Sequence, residues 1–244
     1  MSDKYLLNIN VNVKNKAKRV PVAMCIDVSD SMNLIVDGFD QVKNTGRTVF
    51  TDQREYEVVE GGITLMDKVH DGIETFYKAV LDDDMAADSC ESAIITFSDT
   101  AKVYDTFGPV DVKERPDFSG LVGGNTNVTP AIRMALDLLE KQKQIYKDNK
   151  ISYNQPWLVL FTDGLPTDDV SAIKRELMQM QNDKKISVYV MALSDDPELL
   201  RALSGFSTKQ PIRCRDHKEI KRFFEFLGKS VSVIVDGGIP SDFF

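Results

Sequence analysis

The chain has 244 residues, 42% of them hydrophobic and 28% charged, which is an ordinary composition for one large α/β domain or two small ones. A chain of this size buries enough apolar surface to fold without disulfides or a structural metal. Its formal net charge of −8 and its lack of a Lys and Arg cluster argue against binding to nucleic acid or to an anionic membrane.

The first 19 residues precede the domain proper. Apolar and polar residues alternate from Leu7 to Val13, which predicts an additional half-exposed strand. The N-terminus has neither the apolar stretch nor the cleavage site of a signal peptide, and nowhere do 18 apolar residues follow one another. Cys25, Cys90 and Cys214 are widely spaced, which is typical of reduced thiols. We therefore expect a cytoplasmic protein.

Short apolar runs alternate with helical patterns along the rest of the chain. A continuous apolar run covers residues 20–26, as in a strand buried on both faces of a sheet, and similar runs cover 93–97, 157–161 and 186–193. A shorter run at 102–107 follows the second of these closely enough to be its hairpin partner. The alternation predicts an α/β fold with a doubly wound, mostly parallel central sheet flanked by helices and one antiparallel edge strand.

Apolar stripes with helical spacing predict five helices. They cover residues 66–80, 132–139, 170–180, 199–203 and 220–234. We interpret Thr129 as the cap of the second helix, with Pro130 at its first helical position. His70 and His217 are the two histidines of the chain and lie in charged stretches, so we expect both at the surface.

An insertion of about thirty residues, 33–62, interrupts the first connection from a strand to a helix. Such connections usually have roughly 2–6 residues. Within the insertion, 47–51 and 55–60 could pair as a hairpin around Asp52 and Gln53. We expect one domain over residues 20–236 that contains this insertion, with the N-terminal strand in 1–19 and a tail at 237–244.

Polar side chains gather where three segments end. The first strand ends in an Asp-x-Ser-x-Ser element, a Gly-Gly-Asn-Thr turn precedes the second helix, and the fourth strand ends in Thr-Asp-Gly. These segments meet at the carboxyl edge of a right-handed parallel sheet, where such sheets bind ligands. We therefore expect five side chains to lie together there: Asp27, Ser29, Ser31, Thr126 and Asp163.

This set offers three hydroxyls and two carboxylates but no His or Cys. Oxygen-only ligands select a hard ion, so Mg²⁺ or Mn²⁺, or else Ca²⁺, fits better than zinc. Hydroxyls are weak neutral donors, and an ion that they contact directly stays electrophilic enough to take a carboxylate from outside. Thr129 is the alternative to Thr126 in this set. We favour Thr126, because Thr126 comes directly after the glycine turn.

The three elements in this order resemble the metal-ion-dependent adhesion site of von Willebrand factor A (vWA) domains, over roughly residues 20–235 apart from the insertion. The resemblance implies that Ser29, Ser31 and Thr126 contact the ion directly. It also implies that Asp27 and Asp163 hold the ion mainly through water. A vWA domain of this kind is a non-enzymatic module that binds an Asp or Glu carboxylate of a protein partner.

Further stretches, at 161–169, 198–203, 223–227 and 230–233, resemble the bacterial tellurium-resistance TerY-like group. That resemblance implies a cytoplasmic scaffold that works in stress response beside kinase- or phosphatase-like proteins. The insertion at 33–62 departs from the pattern of the group.

An enzyme is the alternative interpretation. A Mg²⁺-dependent phosphotransferase of the haloacid-dehalogenase type would use Asp27 as nucleophile and Asp163, Asp168 or Asp169 as metal ligands. Its general acid, two residues after the nucleophile, would here be Ser29, which cannot serve at neutral pH. A third possibility is a structural adaptor that binds through the insertion and uses no ion.

Overall fold

The computed structural model describes residues 18–51, 54–214 and 216–239. The predicted strand around residues 7–13 lies outside these ranges, as does the end of the tail at 240–244. The strands are β1 (Val20–Asp27), β2 (Ile35–Asp37), β3 (Lys43–Thr51), β4 (Arg54–Glu60), β5 (Ile63–Thr64), β6 (Cys90–Phe97), β7 (Ala101–Pro109), β8 (Trp157–Thr162), β9 (Ser187–Ala192) and β10 (Ile212–Arg213). The helices are α1 (Leu65–Leu81), α2 (Asp84–Ser89), α3 (Val128–Asp148), α4 (Ser171–Asn182), α5 (Pro197–Leu203) and α6 (His217–Val235).

Six of the strands form the central sheet, in the order β10-β9-β8-β1-β6-β7. β1 lies in the middle and pairs in parallel with β6 and β8, and β9 and β10 continue the parallel pairing beyond β8. β7 runs antiparallel to β6 at the edge. The structure thus confirms the predicted α/β fold with a mostly parallel sheet and one antiparallel edge strand.

Helices cover both faces of this sheet. On β1, Val22, Met24 and Ile26 face the core that includes α1 and α6, whereas Ala23 and Cys25 face the core that includes α3, α4 and α5. Every residue of β1 is buried, which explains why its sequence is apolar up to the final Asp27.

A close contact between helices fixes α6 above the sheet. A Cβ atom added to Gly72 on α1 would lie 2.2 Å from the ring of Phe224 on α6, so the ring packs directly on the α1 backbone. The same ring stacks on Phe161 of β8, with 4.5 Å between centroids. The end of β8, which leads into Asp163, is therefore held from the α6 side.

The insertion folds into a two-stranded hairpin on a short base. β3 and β4 pair from Lys43 opposite Glu60 to Thr51 opposite Arg54, so the hairpin is longer than the one expected from the sequence. β2 pairs antiparallel with β5, immediately before α1, and this pair forms the base. The inserted chain therefore returns to the point from which it leaves the sheet.

The start of α3 differs from the prediction. The helix begins at Val128, and Thr129 does not cap it. The carboxylate of Asp168, which belongs to the loop after β8, accepts the N–H groups of Val128 at 2.8 Å and Thr129 at 2.9 Å. A negative charge at a helix N-terminus is favourable, so a carboxylate that is distant in sequence replaces the local cap.

His70 is buried rather than at the surface, which corrects the prediction. Its side chain is 2% exposed, and Nε2 accepts the N–H of Phe118 at 2.8 Å. The imidazole also packs against the Phe118 ring, with 5.1 Å between centroids. Burial lowers the pKa of His70. The charged sequence around His70 misled the prediction because the apolar face of α1 includes this position.

The cysteines Cys25, Cys90 and Cys214 are all buried and unpaired. Burial raises the pKa of each thiol, to about 12 for Cys214. Among the helices within the described ranges, none is both long and apolar enough to cross a bilayer.

Candidate metal centre

Asp27 lies at the bottom of the site, as the last residue of β1. Its side chain is fully buried. Its Oδ1 accepts the N–H of Ser29 at 2.8 Å, and its Oδ2 accepts the hydroxyl of Thr162 at 2.5 Å. Because Thr162 ends the neighbouring strand β8, the carboxylate is fixed from two adjacent strand ends.

Ser29 and Ser31 turn their hydroxyl groups toward each other, with 3.3 Å between the Oγ atoms. A 3₁₀ turn over Asp30–Asn33 produces this arrangement, and Met32 donates its N–H to the carbonyl of Ser29. The Ser31 hydroxyl donates to Oδ1 of Asp163 at 2.8 Å. The first and third elements identified in the sequence are therefore in direct contact.

Thr126 joins this group through Gly164, the residue that follows Asp163. A Cβ atom on Gly164 would lie 2.7 Å from the Thr126 Oγ1, so this hydroxyl packs against the Gly164 backbone. Thr167 also donates its N–H to the Thr126 carbonyl at 3.0 Å. All five residues selected from the sequence thus lie at the carboxyl edge of the sheet.

Two backbone hydrogen bonds tie the glycine turn to the first element. Gly123 donates its N–H to the carbonyl of Val28 at 2.8 Å, and Asp30 donates its N–H to the carbonyl of Gly124 at 3.2 Å. Gly124 has a φ of +85°, a backbone conformation that residues with a side chain rarely adopt. The turn therefore requires glycine there.

The site has a buried floor and a partly open mouth. Asp27, Ser29 and Thr126 are buried, whereas Ser31 and Asp163 are half-buried. Burial and the nearby Asp163 carboxylate raise the pKa of Asp27 to about 7, against the opposing hydrogen bonds from Thr162 and Ser29. Two ionised carboxylates in such a place are costly without a cation, which a divalent ion would supply.

The donor set fits a hard ion. Over the described part of the chain, no three or more His, Cys, Asp and Glu residues come together in a way that could hold a metal. The cluster at this edge has only two carboxylates, and its remaining donors are hydroxyls. Such oxygen ligands match Mg²⁺, Mn²⁺ or Ca²⁺, and they offer nothing that favours zinc.

Two further residues contribute to this edge, and neither belongs to the five that the sequence predicted. Thr162 fixes Asp27, and its signal was the threonine of the Thr-Asp-Gly element itself. Asp99 accepts two hydrogen bonds from Asn125, at 3.1 Å from the backbone N–H and 2.7 Å from Nδ2. Because Asp99 follows β6, it also lies at the carboxyl edge, although the sequence predicted no role for it.

Comparison with protein families finds no match, and no curated protein matches the sequence. Solved structures do match the fold. The pilus adhesin SpaC from Lactobacillus rhamnosus GG, in its open conformation, has a TM-score of 0.61 and 11% identity, over 89% of this chain and 30% of that one. The PilB minor pilin from Streptococcus sanguinis has a TM-score of 0.54 and 13% identity, over 90% of this chain and 62% of that one.

The SpRpn10 VWA domain is similar over nearly its whole length. Its TM-score is 0.50 and its identity 13%, over 84% of this chain and 95% of that one. By contrast, the chain spans less than two thirds of the length of SpaC and PilB. At such identities the likeness concerns the fold alone, and it shows an α/β fold like that of a VWA domain.

Proposed function

We propose that this protein binds one divalent ion of the Mg²⁺ type at Asp27, Ser29, Ser31, Thr126 and Asp163 and uses it to bind a carboxylate of a protein partner. The observation that carries the proposal is the hydrogen bond from the Ser31 hydroxyl to Asp163, together with the contact between Thr126 and Gly164. Three segments that are far apart in sequence bring only oxygen donors to one point.

The roles of the five residues are those that the resemblance to the vWA adhesion site implies. The hydroxyls of Ser29, Ser31 and Thr126 would contact the ion, and the two carboxylates would supply its counter-charge. Asp27 is already held by Thr162 and Ser29, so it would not need to reorganise when the ion enters. When bound, the ion supplies an electrophilic position that a carboxylate from outside can occupy.

The partly open mouth supports binding rather than catalysis. Ser31 and Asp163 are half-buried, so a partner can reach this side of the site. The five residues of the cluster are hydroxyls and carboxylates, with no histidine, lysine or cysteine among them, and both oxygens of the Asp27 carboxylate already accept hydrogen bonds from Ser29 and Thr162. An adhesion role therefore accounts for the donor set better than water activation does.

The resemblance of the sequence to the TerY-like group extends this proposal to the cellular role. On that basis the protein is a cytoplasmic, bacterial, non-enzymatic scaffold in a stress-response system, and its partners are kinase- or phosphatase-like proteins that offer an Asp or Glu. The support for this extension is the resemblance of four sequence stretches to that group, at 161–169, 198–203, 223–227 and 230–233.

A pull-down from the native cytoplasm tests the proposed function. The wild-type protein is used as bait in the presence of Mg²⁺ or of EDTA. The Asp27→Ala variant, checked for folding by circular dichroism, serves as the matched control. We expect a partner that is retained by the wild-type protein with Mg²⁺ and lost both with EDTA and with Asp27→Ala. A partner retained equally in all three samples would contradict an ion-dependent role.

A further inference from the structure

Asp99, which follows β6, contacts the turn that carries Thr126. Its Oδ1 accepts both the backbone N–H and the Nδ2 of Asn125. A Cβ atom on Gly124 would lie 2.5 Å from Asp99 Oδ2, so the carboxylate rests against the Gly124 backbone. The Asp99 side chain thus contacts both residues that immediately precede Thr126, Gly124 and Asn125.

The backbone of Ser98 and Asp99 also binds the turn through hydrogen bonds. Asn127 donates its N–H to the carbonyl of Ser98 at 2.9 Å, and its Nδ2 donates to the carbonyl of Asp99 at 2.9 Å. The residues before and after Thr126 are therefore both bound to the end of β6. Beyond them, Asp168 holds the first N–H groups of α3.

These contacts matter because the turn has no regular secondary structure of its own between the 3₁₀ turn at Ser119–Leu121 and α3. An irregular segment keeps one conformation only where outside contacts compensate its entropy. Thr126 must keep its hydroxyl against Gly164 to belong to the cluster described above. The contacts from Asp99 are made entirely by protein groups, so they hold the turn in the absence of an ion.

We propose that Asp99 is a positioning residue for the ion site, which acts by accepting hydrogen bonds from Asn125 and does not itself bind the ion. This inference rests on the proposed function. It predicts that the acceptor oxygen at position 99 matters and that the negative charge does not. An asparagine at this position keeps the acceptor and loses the charge, so it separates the two roles.

The test compares Asp99→Ala, Asp99→Asn and a control, Asp137→Ala. Asp137 is exposed on α3, so its replacement changes the net charge equally without touching the turn. Mg²⁺ binding is measured by calorimetry. We expect Asp99→Ala to weaken binding roughly ten- to thirtyfold, the loss of two exposed hydrogen bonds. Asp99→Asn and Asp137→Ala should bind within about threefold of the wild-type protein.

Hydrogen exchange of the Asn125 amide, measured in EDTA, provides a readout that does not depend on the ion. It should be faster in Asp99→Ala than in the wild-type protein and unchanged in Asp99→Asn and Asp137→Ala. Equal Mg²⁺ affinity in Asp99→Ala and the wild type would overturn the inference and leave the proposed function standing. Equal losses in Asp99→Ala and Asp99→Asn would also overturn it, because they would show that the charge acts on the ion. If the wild-type protein binds neither Mg²⁺ nor Mn²⁺, the proposed function fails, and the inference fails with it.

Discussion

The Ser31 hydroxyl and the Asp163 carboxylate lie 2.8 Å apart although 132 residues separate them in the chain. Their contact follows from the topology, because β1 and β8 are parallel neighbours and both residues come just after a strand end. Because the two strands run parallel, their carboxyl ends lie at the same edge of the sheet. The pair therefore links the arrangement of the strands to the chemistry of the site.

Replacing Asp27 is expected to abolish ion binding without unfolding the protein. Calorimetry with Mg²⁺ or Mn²⁺ should show one site in the wild-type protein and none in Asp27→Ala or Asp27→Asn. Asparagine fits the position because the Thr162 hydroxyl can turn toward the Gly164 carbonyl at 3.2 Å. Unchanged binding in Asp27→Asn would refute the assignment of Asp27 to the ion.

The same asparagine variant should not be destabilised in EDTA at pH 8. The folded protein without an ion holds a buried carboxylate whose pKa is raised to about 7, from an ordinary value of 3.8. The folded state therefore binds its proton more tightly than the unfolded state, and stability falls as the pH rises between these values. Asparagine carries no such charge, so its melting temperature should equal or exceed that of the wild type. A fall of more than about 5 °C, which is roughly 1–3 kcal/mol in a domain of this size, would contradict this account.

Gly164→Ala tests whether the Thr126 hydroxyl belongs to the ion site. The added methyl group would lie 2.7 Å from Thr126 Oγ1, so the hydroxyl must move. We expect Mg²⁺ binding to weaken about tenfold or more, with a stability loss of only about 1–3 kcal/mol from overpacking. Gly120→Ala is the matched control, because a Cβ atom there meets nothing within 4 Å. An unchanged Mg²⁺ affinity in Gly164→Ala would remove Thr126 from the set of ligands.

Local sequence patterns predicted the features that depend on local periodicity. The run of buried residues in β1 and the alternation of strands and helices are of this kind, and so is the order of the three polar elements. Contacts between segments that are distant in sequence produce no local periodicity from which they could be predicted. The burial of His70 and the capping of α3 by Asp168 depend on which segments meet in space. The two-residue strand β10 is too short to show a period.

The burial of His70 predicts that the segment around Phe118 loosens in acid. His70 Nε2 can accept the Phe118 N–H only while the imidazole is neutral, and protonation places a second donor against it. Burial and Arg115 lower the pKa of His70, and the carboxylates of Asp67, Asp117 and Asp71 oppose them only in part. When the hydrogen bond between His70 and Phe118 is broken, the exposed imidazole has its ordinary pKa of about 6.5 and takes up a proton more readily than the buried one. The hydrogen bond is therefore lost as the pH falls.

Hydrogen exchange of a peptide that covers 113–122 measures this loosening. After correction for the intrinsic rate, we expect the wild-type segment to lose protection between pH 7.5 and pH 4.5. The His70→Gln variant offers a carbonyl oxygen in place of Nε2 and does not titrate, so its protection should stay constant. Equal pH dependence in the two proteins would assign the effect to groups other than His70.

No turnover of phosphate esters is expected. The alternative interpretation as a haloacid-dehalogenase-type phosphotransferase needs a general acid at position 29, and Ser29 instead lies with its hydroxyl 3.3 Å from that of Ser31. A panel of aryl and sugar phosphates with Mg²⁺ should give rates at the uncatalysed background. Turnover that disappears in Asp27→Asn would establish the enzyme and displace the adhesion role.

The hairpin of the insertion is expected to select the partner. Long ordered loops beside a site are commonly functional, and both strands of this hairpin lie largely at the surface. Val49 and Phe50 are 51% and 76% exposed, a large apolar exposure for one short ribbon. Asp37 is engaged by Lys68 at 3.0 Å, so the base of the insertion has a structural ion pair. We therefore expect the Asp37 carboxylate to stabilise the base of the insertion.

A deletion that preserves the base tests this role. Lys43 pairs with Glu60 at the start of the hairpin, so the flanking residues Val42 and Gly61 lie close together. Gly-Ser can therefore replace residues 43–60 while β2 and β5 remain in the chain. We expect unchanged Mg²⁺ binding and loss of EDTA-sensitive partner capture, and the Val49→Ser and Phe50→Ser double variant should reproduce the loss. Stronger capture would instead mean that the hairpin covers the ion. Equal capture by the wild type, the deletion and the double variant would show that the hairpin has no part in recognition.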